Sequence, residues 1–285
     1  MNKISIICNG RLYEIPNRWE SVSPKAYQRL VGNLMAMARG EQSPGEVRLR
    51  LLCDLMDWEP SRIHDDDSLA TLIALSERLT FLFNVDSEGR YMVDLCFCAQ
   101  LVPTLYAGGR YYEGYAAQIS YGQISIGLTA LQFIEAREVL SQGEQSLPLL
   151  AAILYAGRRC ESEEVQRLAD GFARLPEETL TAVAWNFQAI NNFLFSRTSL
   201  SLLAKFTHEE PSALTTDAAD ALYDLCADGL GNNREVEQMN VITYLRILRK
   251  KTIDTVRQMR DLKMDTPTIA HETGLPLEVV NGLVN

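Results

Sequence analysis

Two short, mostly apolar stretches open the chain, Ile4 to Cys8 and Arg11 to Ile15, and Asn9-Gly10 separates them. Asn-Gly supplies the two positive-φ positions of a type I′ turn, so this pattern predicts a β-hairpin. A two-stranded ribbon is only marginally stable alone, and it needs a surface to lie on. We expect Ile15 and Trp19 to hold the end of the second strand against the first helix.

Apolar residues recur with helical spacing along most of the remaining sequence, and each segment begins at a recognisable N-terminal signal. Ser23-Pro24 and Ser43-Pro44 each place a capping serine before a proline that favours the first helical position. Further helices are predicted to begin near Asp65 to Ser68, Thr129, Leu147, Ser162, Pro176 and Ser212. The sequence therefore predicts a mainly α fold, in which a helical body carries an N-terminal β-hairpin and a C-terminal helical part.

The helical rhythm breaks between residues 85 and 128, where periodicity does not decide between strand, helix and loop. Five of the chain's 11 tyrosines lie among glycines between residues 106 and 121, and we take them as candidate partner-binding residues: Tyr106, Tyr111, Tyr112, Tyr115 and Tyr121. Tyrosines in a long Gly-rich loop are typical of an adaptable contact surface, because each ring offers a large area at a small entropic cost. The alternative is that these rings pack back onto the core.

The last residues of the chain have the spacing of a helix-turn-helix. Two short helices are predicted, Pro267 to Glu272 and Pro276 to Leu283, and Thr273-Gly274-Leu275 joins them. A DNA-reading helix needs basic or amide side chains towards the groove, whereas the second helix offers only Glu278 and Asn281. The pair either binds DNA or packs on the preceding helix or on a partner, and its residues favour packing.

Charge is spread unevenly along the chain. The net charge of −10 argues against a general nucleic-acid binder, because such binding depends on clustered Lys and Arg. However, the segment from Arg234 to Lys263, predicted as one long helix, holds eight basic and four acidic residues and is therefore +4, while the remainder is −14. Its candidate nucleic-acid contacts are Arg246, Arg249, Lys250, Lys251, Arg257 and Arg260. Such a run is more commonly a solvated helix face.

The length of 285 residues suits one large domain or two ordinary ones. A short mixed stretch from Thr198 to Ser212 is the predicted boundary, which divides the chain into residues 1–205 and 206–285. No stretch approaches the ~20 apolar residues that span a bilayer, and the start lacks the pattern of a secretory signal. We therefore predict a cytoplasmic protein without a membrane partner; the sequence does not indicate its oligomeric state.

The chemistry-bearing residues form no recognisable catalytic motif. The six cysteines are scattered, mostly among apolar neighbours, which suits reduced and buried thiols. The run His64-Asp-Asp-Asp67 has metal-ligand residue types, but carboxylates at a helix start are also stabilised by the helix dipole, and we favour that interpretation. With no phosphate-binding loop, His-Glu-x-x-His or Gly-x-Ser-x-Gly motif, the sequence predicts no metal, no cofactor and no enzymatic activity.

The opening residues Tyr13-Glu-Ile-Pro16, Trp19, Ser23 and Tyr27 resemble the start of phage proteins known as tail assembly chaperones. A second patch, Leu128 to Ala136 and then Leu150 to Tyr155, is similar to phage and prophage proteins. The resemblance covers roughly the first 195 residues. The chain is longer than most tail chaperones, and the resemblance does not extend to its basic helix and helix-turn-helix-like end.

This resemblance implies a non-enzymatic protein that binds other tail components, such as tape-measure or tube proteins, during assembly. No catalytic residues carry over from it. The alternative function is a DNA-binding or regulatory protein that uses residues 234–284.

Overall fold

The computed structural model describes residues 3–8, 10–59, 66–157, 161–207, 222–223, 225–227 and 229–284, and this part is mainly helical, as predicted. Its helices are α1 (Pro24–Ala38), α2 (Pro44–Met56), α3 (Asp66–Ser76), α4 (Ala130–Ser141), α5 (Leu147–Tyr155), α6 (Ser162–Phe172), α7 (Glu177–Arg197), α8 (Asn233–Glu237), α9 (Val241–Asp261), α10 (Thr266–Thr273) and α11 (Leu277–Val284). Its strands are β1 (Lys3–Cys8), β2 (Arg11–Pro16), β3 (Phe83–Val85), β4 (Tyr91–Val93), β5 (Thr104–Ala107), β6 (Arg110–Glu113), β7 (Ala117–Ser120) and β8 (Gln123–Ile126).

The predicted N-terminal hairpin is confirmed. Strand β1 pairs antiparallel with β2, and Ile4 lies opposite Ile15. Ile15 and Trp19 are both buried in the core. Trp19 stacks on Phe97 with 4.9 Å between ring centroids, and its Nε1 donates to the carbonyl of Asp94 at 2.7 Å. Trp19 also packs edge-on against Tyr27 of α1, with 6.3 Å between ring centroids. The end of the hairpin is therefore held against the first helix, as the sequence predicts, and also against the segment after β4.

The predicted helix starts are set by the local capping chemistry. Ser23 Oγ accepts a hydrogen bond from the Ala26 backbone N–H at 3.2 Å and so caps α1. Ser43 and Thr129 each form a reciprocal capping box with the residue three places on, at the starts of α2 and α4. Helix α3 begins at Asp66, whereas His64 and Asp65 of the predicted cap lie outside the described residues.

The stretch that periodicity left undecided forms three hairpins, β3–β4, β5–β6 and β7–β8, in the described part of the chain. Between β4 and β5 the chain has no regular secondary structure and runs along α7. Asn192 Nδ2 donates to the Leu95 carbonyl at 2.8 Å, and the Phe97 backbone N–H donates to the Ala189 carbonyl at 3.3 Å. The Asn192 amide thus binds a backbone group, which is the usual role of buried amides.

One large core includes buried side chains from Ile15 in β2 to Leu245 in α9, and α7 contributes to it along most of its length. A second, smaller core contains Val256, Ile269, Leu275 and Val280 and joins α9 to α10 and α11. Helix α9 is therefore shared between the two cores. The division at residue 205 stays a prediction, and it falls beside residues that are not described.

The prediction of one long basic helix is wrong at its start, because α8 ends at Glu237 and α9 begins at Val241. Asn240 lies in the break, accepts a hydrogen bond from the Ile242 N–H at 3.0 Å and donates to the Ile126 carbonyl at 2.7 Å. This tertiary contact with the end of β8 explains why the helix restarts here. Most of the predicted helix over residues 212–228 lies outside the described residues.

Candidate protein-interaction surface

Hairpin β5–β6 carries three of the predicted partner-binding tyrosines, Tyr106, Tyr111 and Tyr112. Gly108 and Gly109 form its two-residue turn, and both have positive φ, as a type I′ turn requires. The Gly114 N–H donates to the Pro103 carbonyl at 2.8 Å, so Pro103 and Gly114 form a hydrogen-bonded step of the ladder. Alternation along the ladder makes Tyr106 and Tyr111 a non-hydrogen-bonded pair, in which opposing side chains approach most closely.

Tyr106 and Tyr111 form an exposed aromatic pair. Their ring centroids are 4.9 Å apart with a tilt of 50°, and the residues are 58% and 74% exposed. Thr104 and Glu113 lie on the same face of the hairpin and are also exposed. This face therefore presents a preformed aromatic surface with polar neighbours to solvent.

The opposite face of the same hairpin anchors it to the body. Leu105 is buried, and the half-buried Tyr112 packs edge-on against Phe172, with 5.1 Å between ring centroids. At the base of the hairpin, a Cβ on Gly114 would lie 2.9 Å from a ring carbon of Tyr155, so only glycine fits there. Tyr112 is therefore largely a packing residue, and the exposed pair stands on a well-supported strand pair.

Hairpin β7–β8 places another aromatic side chain at its tip. Tyr121 and Gly122 form the turn with φ values of 51° and 72°, and Tyr121 is fully exposed. A non-glycine residue with positive φ is uncommon and costs conformational energy. The base of the hairpin is buried through Ala117 and Ile126, so the hairpin projects its tip away from the core.

Tyr115 lies in the core, which corrects its prediction as an exposed contact residue. It is only 7% exposed, and its ring packs edge-on against Phe187 at a centroid distance of 6.4 Å. Its hydroxyl has no hydrogen-bond partner among the described residues. Burial raises the pKa of this phenol well above its ordinary value. The predicted long loop thus consists of two ordered hairpins. The candidate tyrosines whose side chains are available to a partner are Tyr106, Tyr111 and Tyr121.

The six candidate nucleic-acid contacts divide into two groups. Arg249 Nε donates to the Ser199 carbonyl at 2.8 Å, and Arg260 donates to the Val284 carbonyl at the end of α11. These two side chains bond within the chain, and Lys251 is half-buried. Arg260 is exposed despite this bond, and Arg246, Lys250 and Arg257 are exposed as well. These last three share one side of α9, because Lys250 and Arg257 lie four and eleven residues after Arg246.

The predicted pair of short helices joined by a turn is confirmed in α10 and α11. Gly274 ends α10 in the left-handed conformation with a φ of 62°. Ile269, Leu275 and Val280 pack with Val256 of α9, so the pair packs on the long helix. The exposed residues of α11 include Leu277, Glu278 and Asn281 and carry no positive charge.

A cleft of about 530 Å³, which sequence reasoning missed, lies between the chain after β4 and the C-terminal end of α7. Its lining residues are Val93, Asp94, Leu95, Cys96, Asn192, Ser196 and Arg197. Cys96 Sγ and Ser196 Oγ are 3.4 Å apart, but Ser196 donates its proton to the Asn192 carbonyl at 2.6 Å. The serine hydroxyl is thus bound to its own helix. No sequence signal could pair two residues a hundred positions apart.

Within the described ranges, no group of three or more His, Cys, Asp or Glu side chains could hold a metal ion. The helices in that part of the chain also include none with the length and hydrophobicity needed to cross a membrane. Comparisons of the chain with protein-family models, with curated proteins and with solved structures found no match.

Proposed function

We propose that this protein is a non-enzymatic assembly protein of phage or prophage type that acts through protein contacts, as tail assembly chaperones do. The observation that carries the contact mechanism is the exposed pair Tyr106 and Tyr111. Aromatic side chains dominate interface energetics, since each buries a large area on contact. The partner class, a tail component such as a tape-measure or tube protein, follows from the resemblance of the opening residues.

The support for a docking role comes from the way this surface is packed. Binding costs less when few side chains must be ordered, and the two rings already contact each other on a hairpin that is anchored through Leu105 and Tyr112. Exposed polar residues flank the aromatic pair, as is common around interface anchors.

The residues that carry the resemblance have structural positions. Ile15, Trp19 and Tyr27 are buried, and the Tyr27 hydroxyl donates to the Ala182 carbonyl in α7 at 3.2 Å. They join the hairpin to the helical body and do not form a surface. The resemblance therefore supports a shared opening of the fold, and the partner needs a direct test.

The first test identifies the genes adjacent to the gene of this protein and asks whether their products co-purify with it. If those genes encode no tail, tape-measure or capsid component, the assembly proposal fails. For a product that binds, calorimetry should show the Tyr106→Ser, Tyr111→Ser double variant weakening the affinity by roughly 2–4 kcal/mol. Tyr223→Ser, which changes a tyrosine that is 61% exposed elsewhere, is the matched control and should bind normally. Normal binding by the double variant would exclude this docking surface.

A second candidate function is DNA binding, favoured by the exposed row Arg246, Lys250 and Arg257 on the helix that precedes the helix-turn-helix. Fluorescence anisotropy with duplex DNA tests it. Binding that weakens steeply with salt, and that is lost when the three residues are changed to Gln, supports this function. Absence of binding at low salt removes it.

A further inference from the structure

Among the described residues, strand β1 is a free sheet edge. In the described part of the chain the first sheet contains only β1 and β2. β2 lies against α2, and Tyr13 packs edge-on against Trp58 at a centroid distance of 5.7 Å. The body thus covers the β2 side of the hairpin, and β1 forms its outer side. An uncovered edge strand presents unpaired backbone groups that can pair with another strand.

The register of the hairpin shows which backbone groups of β1 point outward. Cys8 pairs with Arg11 across a two-residue connection, and in such hairpins the closing pair is hydrogen-bonded. By alternation, the pairs formed by Ser5 with Glu14 and by Ile7 with Leu12 are not hydrogen-bonded. The N–H and C=O groups of Ser5 and Ile7 therefore point away from β2, together with those of Lys3 at the end of the strand.

The side chains next to this edge are unusually apolar for a solvent-exposed surface. Ile7 is 75% exposed and Leu12 is 64% exposed, and they face each other across the hairpin. On the other face of β1, Ile4 and Ile6 are only half-buried. The edge thus combines unpaired backbone groups with apolar side chains on both faces.

We propose that two copies of this chain associate through β1, antiparallel about a two-fold axis at Ser5, and form a continuous four-stranded sheet. Pairing through the outward groups brings odd-numbered residues opposite one another, so Ser5 faces Ser5 and Lys3 faces Ile7 of the other copy. A two-fold axis at Lys3 would place two lysines in contact, and one at Ile7 would leave most of the strand unpaired.

The side chains agree with this register on both faces. On one face, Ile4 of each copy lies opposite Ile6 of the other, which continues the apolar row that already includes Tyr13 and Ile15. On the other face, the aliphatic part of Lys3 covers the exposed Ile7. Lys3 Nζ keeps its ion pair with Glu14 at 3.1 Å, and no like charges become neighbours. A second copy is therefore an occupant that matches the edge in length, register and charge.

Sedimentation velocity over about a hundredfold range of concentration tests the association directly. We expect a reversible shift from the 32.0 kDa mass of one chain to twice that mass. In the dimer, hydrogen exchange at the Ser5 and Ile7 amides should slow as the protein concentration rises. A protein that stays monomeric throughout, or that dimerises without protection of these amides, overturns the proposal.

Two pairs of variants separate the interface from the fold. Ser5→Pro removes the outward N–H at the two-fold axis without removing a ladder bond, and it should weaken dimerisation at least about tenfold, whereas Ser5→Thr should not. Ser5→Cys should yield a disulfide-linked dimer under oxidising conditions, because the two positions face each other across the axis. Glu14→Cys, on the far strand, should remain unlinked. Equal linking of both cysteine variants, or unchanged dimerisation of a folded Ser5→Pro protein, contradicts the proposal.

Discussion

Asn186 in α7 accepts a hydrogen bond from the Leu101 backbone N–H at 2.7 Å, and its Nδ2 donates to the Ala99 carbonyl, also at 2.7 Å. Ala99 and Leu101 lie outside the strands, in the irregular segment between β4 and β5. A buried backbone N–H or C=O group without a hydrogen-bond partner destabilises the fold. Here the Asn186 side chain provides the hydrogen bonds that a neighbouring strand would provide in a sheet. This bridge aligns the hairpins that follow with the central helix.

Asn186→Ala should therefore destabilise the protein by about 2–3 kcal/mol, because it leaves a buried donor and a partly buried acceptor unpaired. Urea denaturation measures the change. Gln188→Ala, on the same helix, removes a half-buried side chain that bonds to Asn192, and it should cost less than about 1 kcal/mol. Equal losses in the two variants would contradict the proposed role of Asn186.

The buried hydroxyls of Tyr115 and Tyr155 differ in their partners, and this predicts opposite effects of removing them. Tyr115 has no hydrogen-bond partner among the described residues, so Tyr115→Phe should stabilise the protein by about 0.5–1 kcal/mol. The Tyr155 hydroxyl donates to the Val102 carbonyl, so Tyr155→Phe should cost about 1–2 kcal/mol. Thermal melts of both variants provide the comparison.

Truncation of the Tyr115 ring is a different change from removal of its hydroxyl. Tyr115→Ser should cost about 3–5 kcal/mol, because it leaves a cavity in the core beside Phe187. Tyr111→Ser, at an exposed ring, should change stability by less than about 1 kcal/mol. A melting temperature that is unchanged by Tyr115→Ser would show that this ring is not part of the core.

Alkaline pH should destabilise the fold because buried groups retain their protons. Burial raises the pKa of the Cys98 thiol from 9.0 to about 11 and that of the Tyr244 phenol from 10.0 to about 12, although Arg137 opposes the latter shift. The unfolded chain ionises first, so the folded state binds more protons in this range. The contribution of these two groups to the free energy of unfolding is therefore fully present below pH 9, and it is lost as the pH rises to 12.

The pH dependence is checked by denaturant unfolding at a series of pH values. Cys98→Ala should flatten the loss of stability between pH 9 and 11, and Tyr244→Phe should flatten it between pH 10 and 12. Stability that rises with pH over this range would contradict the buried positions of both groups.

Substitutions at the two turn residues Tyr121 and Gly122 should change the stability of the protein in opposite directions. Tyr121→Asn should stabilise the protein by about 0.5–1 kcal/mol, because asparagine tolerates the left-handed conformation and suits a type I′ turn. Gly122→Ala should cost about 1 kcal/mol, since its φ of 72° is unfavourable for a residue with a Cβ. Differential scanning calorimetry measures both, and a loss of stability in Tyr121→Asn would reveal an intramolecular role for the ring.

The amino-acid sequence alone determined those features that depend on neighbouring residues. Helix starts at Ser23, Ser43 and Thr129 were predictable because a cap bonds to a backbone group only three residues away. The helix-turn-helix at Gly274 was predictable for the same reason, since a left-handed glycine and short apolar repeats suffice to specify it. The N-terminal hairpin likewise followed from its turn residues and strand pattern.

Tertiary structure decided the features that depend on distant residues. The five candidate tyrosines are alike in sequence context, yet they differ in exposure. Phe172 of α6 covers Tyr112, and Phe187 of α7 covers Tyr115. Tyr106 and Tyr111 remain exposed. The break before α9 depends on Asn240 reaching Ile126, 114 residues away in sequence. Local propensity carries no information about such partners, because a side chain becomes core or surface only when the fold brings another element against it.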